Sequence, residues 1–308
     1  MFSKKLLIPL LSLSLLVTPA YSSHAAENTE AAGTSVEGQG MLSPSSSSES
    51  SESVFNGSGA GTSSEPVTDE KLETILKQVQ SQLPAENGTW AVFISDLVNG
   101  TEGSFNDQKM QAASLIKLYI MGAVYENYDQ ITGQYGRDSV DSNLYSMITV
   151  SDNDAANTLT TYLGGGDSAA GMQAVNSFCQ AHGYDQTHMG RMLLASNEND
   201  DNYTSVGDCG HLLQEIYKQD TSGYTHATDM FNLLKAQTRC NKIPAQLPEG
   251  VKTANKTGEL DNVENDAGII YDSKNDVVIV FMSQNLSSAG SAQNTIATLS
   301  RTIYDYYN

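Results

Sequence analysis

The chain has 308 residues, with 16 Lys+Arg against 36 Asp+Glu and a formal net charge of −20. So few cations leave little to neutralise phosphates, so neither nucleic acid nor an anionic membrane surface is an expected partner. Three Cys without a C-x-x-C pair and five His exclude a Cys-built zinc module and a disulfide-dense scaffold, while 39 % hydrophobic residues permit a sizeable core.

Residues 1–26 read as a secretory signal peptide. Lys4 and Lys5 form the charged start, Leu6 to Val17 is an apolar run broken by Pro9, and Ser22 to Ala26 offers small residues for cleavage. The run is too short to span a bilayer. The mature chain is therefore expected to be secreted or extracytoplasmic, in the cell envelope, with no membrane span after cleavage. Residues 27–67 contain no Lys or Arg, and eight of the eleven residues from Ser43 to Ser53 are Ser. Such a stretch buries too little apolar surface to offset its ordering entropy, and reads as a disordered Ser/Gly/Glu-rich tether.

A folded domain is expected over residues 68–308. Thr68 is a candidate N-cap, with Val67 and Leu72 at staple positions. Leu72, Ile75, Leu76, Val79 and Leu83 repeat at helical spacing. Trp90 to Leu97 alternates as a strand, and Asn99-Gly100 predicts a hairpin to a second strand near Glu102–Phe105. Ser114 to Asn127 is apolar nearly all round, which predicts a helix buried on all sides. Further helices are expected at 154–163, 169–182, 205–218 and 227–239. Val251–Leu260, Asp266–Tyr271 and Val277–Ser283 read as strands, and Ala292, Ile296, Leu299 and Ile303 predict a C-terminal helix. This order implies an α/β (α+β) fold. One antiparallel sheet would be flanked by the N- and C-terminal helices, with an inserted all-helical lobe.

Chemistry concentrates at three points. In Ser114-Leu115-Ile116-Lys117, Ser and Lys three apart share a helix face. Lys117 is the only charged residue between Met110 and Tyr125. Burial disfavours an ammonium, so a neutral fraction can accept a proton from Ser114. Alone, the pattern is equally a Ser cap and a Lys that reaches out to water. Ser151-Asp152-Asn153 follows the apolar Met147–Val150 run and opens a helix; alone it is a capped helix start. Lys256-Thr257-Gly258 lies in a predicted strand, where Gly marks close backbone approach and Lys and Thr can hold a carboxylate.

In this order the three tripeptides form the signature set of penicillin-binding proteins and class A β-lactamases. Residues 68–308 resemble the serine β-lactamase and penicillin-binding protein superfamily, nearest class A. The resemblance implies an antiparallel five-stranded sheet and the following roles. Ser114 is the acylated nucleophile and Lys117 its candidate base. Ser151 relays a proton to the leaving nitrogen, and Asn153 orients substrate and Lys117. Lys256 and Thr257 bind the substrate carboxylate, and the backbone N–H groups of Ser114 and Glu259 form the oxyanion hole. It implies a β-lactam or a peptidoglycan stem peptide as partner, no metal or organic cofactor, and a monomer.

Three departures qualify it. Class A enzymes carry a Glu after Ser-Asp-Asn that activates the deacylating water; counting places it near Thr187–Arg191, where no acid stands, with Asp185 and Glu198 flanking. The gap from Ser114 to Ser151 is short, so part of the helical lobe is trimmed. Glu259 replaces a small residue and Asp261, Glu264 and Asp266 follow, acids that are expected to weaken carboxylate recognition, with no Arg nearby to help. Acylation is therefore expected to be complete and deacylation impaired. The leading expectation is a secreted class A β-lactamase-like serine hydrolase that forms an acyl-enzyme at Ser114 with β-lactam or related amide substrates. A D-Ala-D-Ala peptidase or penicillin-binding protein that deacylates β-lactams slowly and a non-catalytic wall-peptide binder are the competing readings.

Other signals are weaker. The chain has no Gly-x-Ser-x-Gly elbow. His182, His188, His211 and His226 lack ligand spacing. The acidic run Asn197–Asn202 lacks the Gly and terminal Glu of a calcium loop. Cys209 and Cys240 are a candidate disulfide. Asn87 and Asn202 open glycosylation sequons.

Overall fold

The computed structural model describes residues 69–308. The expected signal peptide, the tether, and the Thr68 cap with its Val67 staple lie outside the described residues. Asp69 caps α1 (Glu70–Gln82) instead. Its Oδ1 accepts from Lys71 N at 3.0 Å, and its Oδ2 accepts from Thr101 Oγ1 at 2.7 Å, which ties the helix to the sheet. A carboxylate at this end also meets the positive pole of the helix. Leu72, Ile75 and Val79 form the buried face.

The hairpin follows as β1 (Thr89–Asp96) and β2 (Thr101–Phe105), turning at Gly100 with φ +68°. A short β3 (Met110–Gln111) leads into a 3₁₀ turn over Ala113–Leu115, and only then does α2 (Ile116–Glu126) begin. The expected helix start at Ser114 is thus a tighter turn. Every residue of α2 from Ile116 to Tyr125 is buried. Two helices the apolar periodicity did not mark come next, α3 (Tyr128–Tyr135) and α4 (Arg137–Thr149). The first is short. The second starts at Gly136, φ +85°, and buries Val140, Leu144 and Met147 among polar neighbours.

The lobe continues with α5 (Asn153–Leu163) and α6 (Ser168–Ala181). β4 (His188–Met189) and β5 (Asn202–Thr204) pair with β3 in a small unpredicted sheet, order β3-β5-β4. In α7 (Val206–Tyr217) Ser205 is the N-cap, its Oγ accepting from Asp208 N at 3.1 Å. α8 (Ala227–Lys235) stops four residues short of the expected end, leaving Arg239 in a loop. β6 (Lys252–Leu260), β7 (Val263–Tyr271) and β8 (Val277–Gln284) precede α9 (Ala289–Tyr307).

The main sheet is five-stranded and antiparallel throughout, order β2-β1-β8-β7-β6, as expected. One core lies between the sheet and the helical lobe, around Leu115, Tyr119, Leu144 and Leu213. The other lies beneath α1 and α9, around Ile75, Trp90, Phe281 and Ile296. A fully buried Leu, Ile or Phe contributes about 1.5–3 kcal/mol over an exposed one, so the two layers together anchor the sheet, whose edge strand β6 lies against the Ala113–Leu115 turn and α8.

The Cys209–Cys240 pairing does not form. All three cysteines are free; Cys209 is buried beside Tyr119, and Cys240 is exposed. The four histidines pair with single carboxylates, Glu126, Asp200, Glu102 and Asp229. Asn87 and Asn202 are 5 % and 2 % exposed, too buried to accept a glycan. Among the described residues no helix is long and apolar enough to cross a membrane, and no His/Cys/Asp/Glu group could hold a metal ion.

Candidate active site

The three tripeptides meet at one cavity. Ser114 sits in the 3₁₀ turn behind Ala113, whose φ is +48°, and Ser151 joins α4 to α5 with φ +61°. Both are left-handed non-glycine positions of the kind that neighbouring structure has to hold in place. Asn265 of β7 supplies one such hold. It is fully buried; its Nδ2 donates to Gln111 O at 2.9 Å and Ala112 O at 3.1 Å, and its Oδ1 accepts from Ser283 N at 3.0 Å. Asn265 stands between Glu264 and Asp266 in β7, a polar stretch that gave no local reason to single it out.

Lys117 Nζ lies within hydrogen-bond reach of four oxygens: Ser151 O and Asn153 Oδ1, each at 2.7 Å, and Ser114 Oγ and Ser151 Oγ, each at 3.1 Å. The two carbonyl oxygens can only accept, so they take two N–H groups. In the neutral amine, the lone pair is then left for the two hydroxyls. Burial, reinforced by the charge of Arg239, pushes Lys117 down to about 7, so that form is well populated near neutrality.

Lys256 is fully buried and donates to Ser151 Oγ at 2.9 Å and to Thr257 O at 2.8 Å. Ser151 Oγ therefore bridges two amines. Burial, then Lys117, then Arg239 hold Lys256 well below the usual lysine range. Lys256 and Gly258 share a strand face. A Cβ on Gly258 would stand 2.9 Å from Ala112 O and 3.3 Å from Leu115 N. Glycine is what lets β6 close on the Ala113–Leu115 turn.

Most of the acids after Lys256-Thr257-Gly258 do not behave as expected. Glu259 pairs with Arg239 at 3.0 Å and with Lys242 at 3.1 Å, and fully buried Lys242 also holds Glu264 at 2.6 Å. Burial opposes its charge, but Lys242 and Arg239 prevail and hold the Glu259 carboxyl below its usual range. Asp266 accepts from Asn255 Nδ2 and Ile243 N, both at 2.9 Å, behind the strand. Glu259, Glu264 and Asp266 are thus tied up by partners distant in sequence, whereas Asp261 is exposed and lines the cavity, as the expectation had it. The missing arginine also arrives from a distance: Arg239, past the end of α8, reaches Glu259 and, at 3.4 Å, Val150 O.

The cavity beside Ser114 has a volume of about 510 Å³; Asn153, Arg191, Leu193, Asn202 and Glu259 line it. Leu193 lines it, its backbone held by bonds to the Asn157 side chain at 2.8 and 3.0 Å. Neither Asp185 nor Glu198 lines the cavity. Asp201 is engaged by Arg191 at 2.7 Å and by Gln111 at 3.0 Å. Ser114, Lys117, Ser151, Asn153 and Lys256 are thus joined by hydrogen bonds, Glu259 lines the cavity with Ser114 and Asn153, and Thr257 joins them through its backbone carbonyl. Arg239, Lys242, Leu193 and Asn265 are what spacing alone missed.

A model of the β-lactamase enzyme family matches residues 71–138 and 136–307. The chain is similar in structure to PBP-A (TM-score 0.66, 22 % identity, 76 % of this chain and 96 % of that one). It is also similar to a β-lactamase from Sphaerobacter thermophilus DSM 20745 (0.61, 21 %, 76 % and 95 %). An ancestral class A β-lactamase matches likewise (0.65, 19 %, 75 % and 99 %). At such identities the likeness speaks for the fold alone. A comparison with curated proteins returns no match.

Proposed function

From the premise that the chain belongs to the β-lactamase enzyme family and is a serine hydrolase of that type, we propose that it forms an acyl-enzyme at Ser114 and releases it slowly. Its substrates on this reading are acyl-D-Ala-D-Ala stem peptides, which β-lactams mimic. The carrying observation is the asymmetry of the cavity: a complete hydroxyl–amine network on one side, and Leu193 in place of a carboxylate on the other.

Acylation follows from the network. Ser114 Oγ attacks the scissile carbonyl carbon while its proton passes to the lone pair of neutral Lys117. The oxyanion rests between the N–H groups of Ser114 and Glu259. On collapse the C–N bond breaks, and the leaving nitrogen takes a proton from Ser151 Oγ, which Lys117 replenishes. On the leaving-group side the charge of Arg239 lowers Lys117, and Lys117 and Arg239 both lower Lys256. An incoming carboxylate supplies counter-charge to Lys256, with Thr257 beside it. Beyond them β6 is an edge strand with free backbone groups, fitted to an extended peptide. A variant of the neighbour PBP-A is described as an acyl-enzyme complex with penicillin G, which agrees with this chemistry.

Water attack on the acyl-enzyme would need a base that the 187–204 segment does not offer. The segment 1–26 supports export, so we place the enzyme outside the cytoplasm, where stem peptides lie; a mature chain lacking residues 1–26 is expected in the envelope or medium. The non-catalytic reading is disfavoured by the intact proton path. Incubation with a fluorescent penicillin tests the proposal. Label is expected at Ser114, absent in Ser114→Ala, and persistent for hours. Decay within minutes would make the protein an efficient lactamase, and no label at saturating dose would leave binding alone.

A further inference from the structure

Opposite β6, the cavity wall holds an amide with a job left over. Asn202 opens β5 and is 2 % exposed. Its N–H donates to Asp201 Oδ1 at 2.8 Å, and its carbonyl accepts from Ala112 N at 2.9 Å. Its side-chain Oδ1 accepts from Gly190 N at 3.1 Å and Arg191 N at 3.2 Å. Two donors facing one end of the amide settle which end is oxygen, so the other end is the NH₂ group. That nitrogen has no protein partner among the described residues. The fully buried side-chain polar atoms without a partner there are Gln237 Nε2 and Tyr307 Oη. Asn202 Nδ2 is not one of them, and Asn202 lines the cavity. Its free donors therefore open onto the space beside Ser114.

Bonding Gly190 and Arg191 needs only an acceptor, which an aspartate would provide equally. The amide adds a donor that is immobilised before any ligand arrives, so little ordering entropy is lost when it binds. Asn153 repeats the arrangement: Lys117 fixes its Oδ1, and its Nδ2 is likewise without a protein partner among the described residues.

We propose that Asn202 Nδ2 donates to a carbonyl on the acyl side of the substrate, beyond the carbonyl that Asn153 Nδ2 takes. The site is thereby matched to a peptidyl acyl donor rather than to a lactam carrying one side-chain amide. The assignment rests on the acyl-serine reading above. In an extended chain successive carbonyls face opposite sides, so alternate carbonyls reach the wall that bears Asn153 and Asn202. The gain is expected when the acyl part grows from one amide carbonyl beyond the scissile bond to three.

The test compares acetyl-D-Ala-D-Ala with acetyl-Gly-Gly-D-Ala-D-Ala in the wild-type chain and in Asn202→Asp, which keeps the acceptor and removes the donor. Wild type is expected to favour the longer peptide in kcat/KM by about tenfold, the scale of one well-made hydrogen bond. Asn202→Asp is expected to lose that preference while its penicillin labelling and its rate on the short peptide stay unchanged. An (E)-alkene replacing the outermost amide should remove the same preference in wild type, which reads the bond without any variant. Equal rates on both peptides in wild type, or an undiminished preference in Asn202→Asp, with penicillin labelling intact, would overturn the Asn202 assignment and leave the acyl-serine reading standing. Absence of both labelling and peptide cleavage in wild type would overturn both.

Discussion

The two walls of the cavity are built on different physical plans. On the wall formed by α2, Ser151 and β6, polar groups are bonded mainly to each other: two buried amines meet at Ser151 Oγ, and the charge of Lys117 lowers the proton affinity of Lys256. On the wall formed by residues 187–204, polar groups are bonded to backbone and to an internal ion pair, Arg191–Asp201, leaving Leu193 and the Asn202 amide facing inward. The first wall is arranged to move protons. The second holds its own shape and presents contacts. On the proposed function, the first wall would make the covalent intermediate and the second would offer nothing to break it.

The sharpest way to break this contrast is to remove the titratable amine. Lys117→Arg keeps a cation but never offers a lone pair, so acylation by a β-lactam is expected to fall by about 10²–10⁴-fold, the usual contribution of a positioned base. The sign with pH follows from the depressed value. Lys117 is protonated below about 7 and neutral above it, so wild-type acylation should rise with pH through about 7. Stopped-flow acylation across pH 5–9 (roughly the range in which such a group changes charge) checks this, and a flat wild-type profile would contradict the base assignment.

Leu193→Glu moves the missing group onto the second wall. The lifetime of the penicillin label is expected to shorten by at least about tenfold, with the acylation rate held within about threefold; the general-base contribution sets the lower bound. A label as long-lived as wild type would show that Leu193 does not occupy the water-activating position.

Gly258→Ala tests the spacing between the walls and the strand. Its Cβ would stand 2.9 Å from the Ala112 carbonyl, so backbone must shift by tenths of an ångström. Slower acylation by about tenfold or more, with only a small change in Tm, is the expected pattern. Arg239→Gln is the smallest effect. It removes one of three cations and frees Glu259 from one of its two partners, so KM for carboxylate-bearing substrates should rise about tenfold, the scale of a hydrogen bond to a charged group, while kcat changes less. An unchanged KM would remove Arg239 from carboxylate recognition.

Legibility differed by element. α2 announced itself because a run of ten buried residues has almost no polar member, and the hairpin because Asn99-Gly100 has few alternatives. α3 and α4 did not, because Gly133, Gly136 and scattered polar residues blurred a weak apolar period. The 3₁₀ turn at Ser114 was read as a helix start because both present the same i to i+3 neighbours, and the disulfide was suggested by helix-end positions that the packing keeps apart. The site motifs were readable because each is a local tripeptide whose residue types carry their chemistry. The Glu259 contacts were not, since Arg239 and Lys242 are twenty and seventeen residues away and local spacing says nothing of where a loop returns.

What the amino acids determined unaided is the local grammar: which segments hide one face, where the nucleophile and the two lysines stand, and that the acid counted on after Ser151 is missing. What folding alone decided is how charges and free donors are distributed around Ser114. Proton affinities depend on burial and on neighbours within a few ångström, and both are properties of chain segments brought together from distant places. Lys117 is ordinary in the unfolded chain; its proton affinity falls because the fold buries it and brings the charge of Arg239 near.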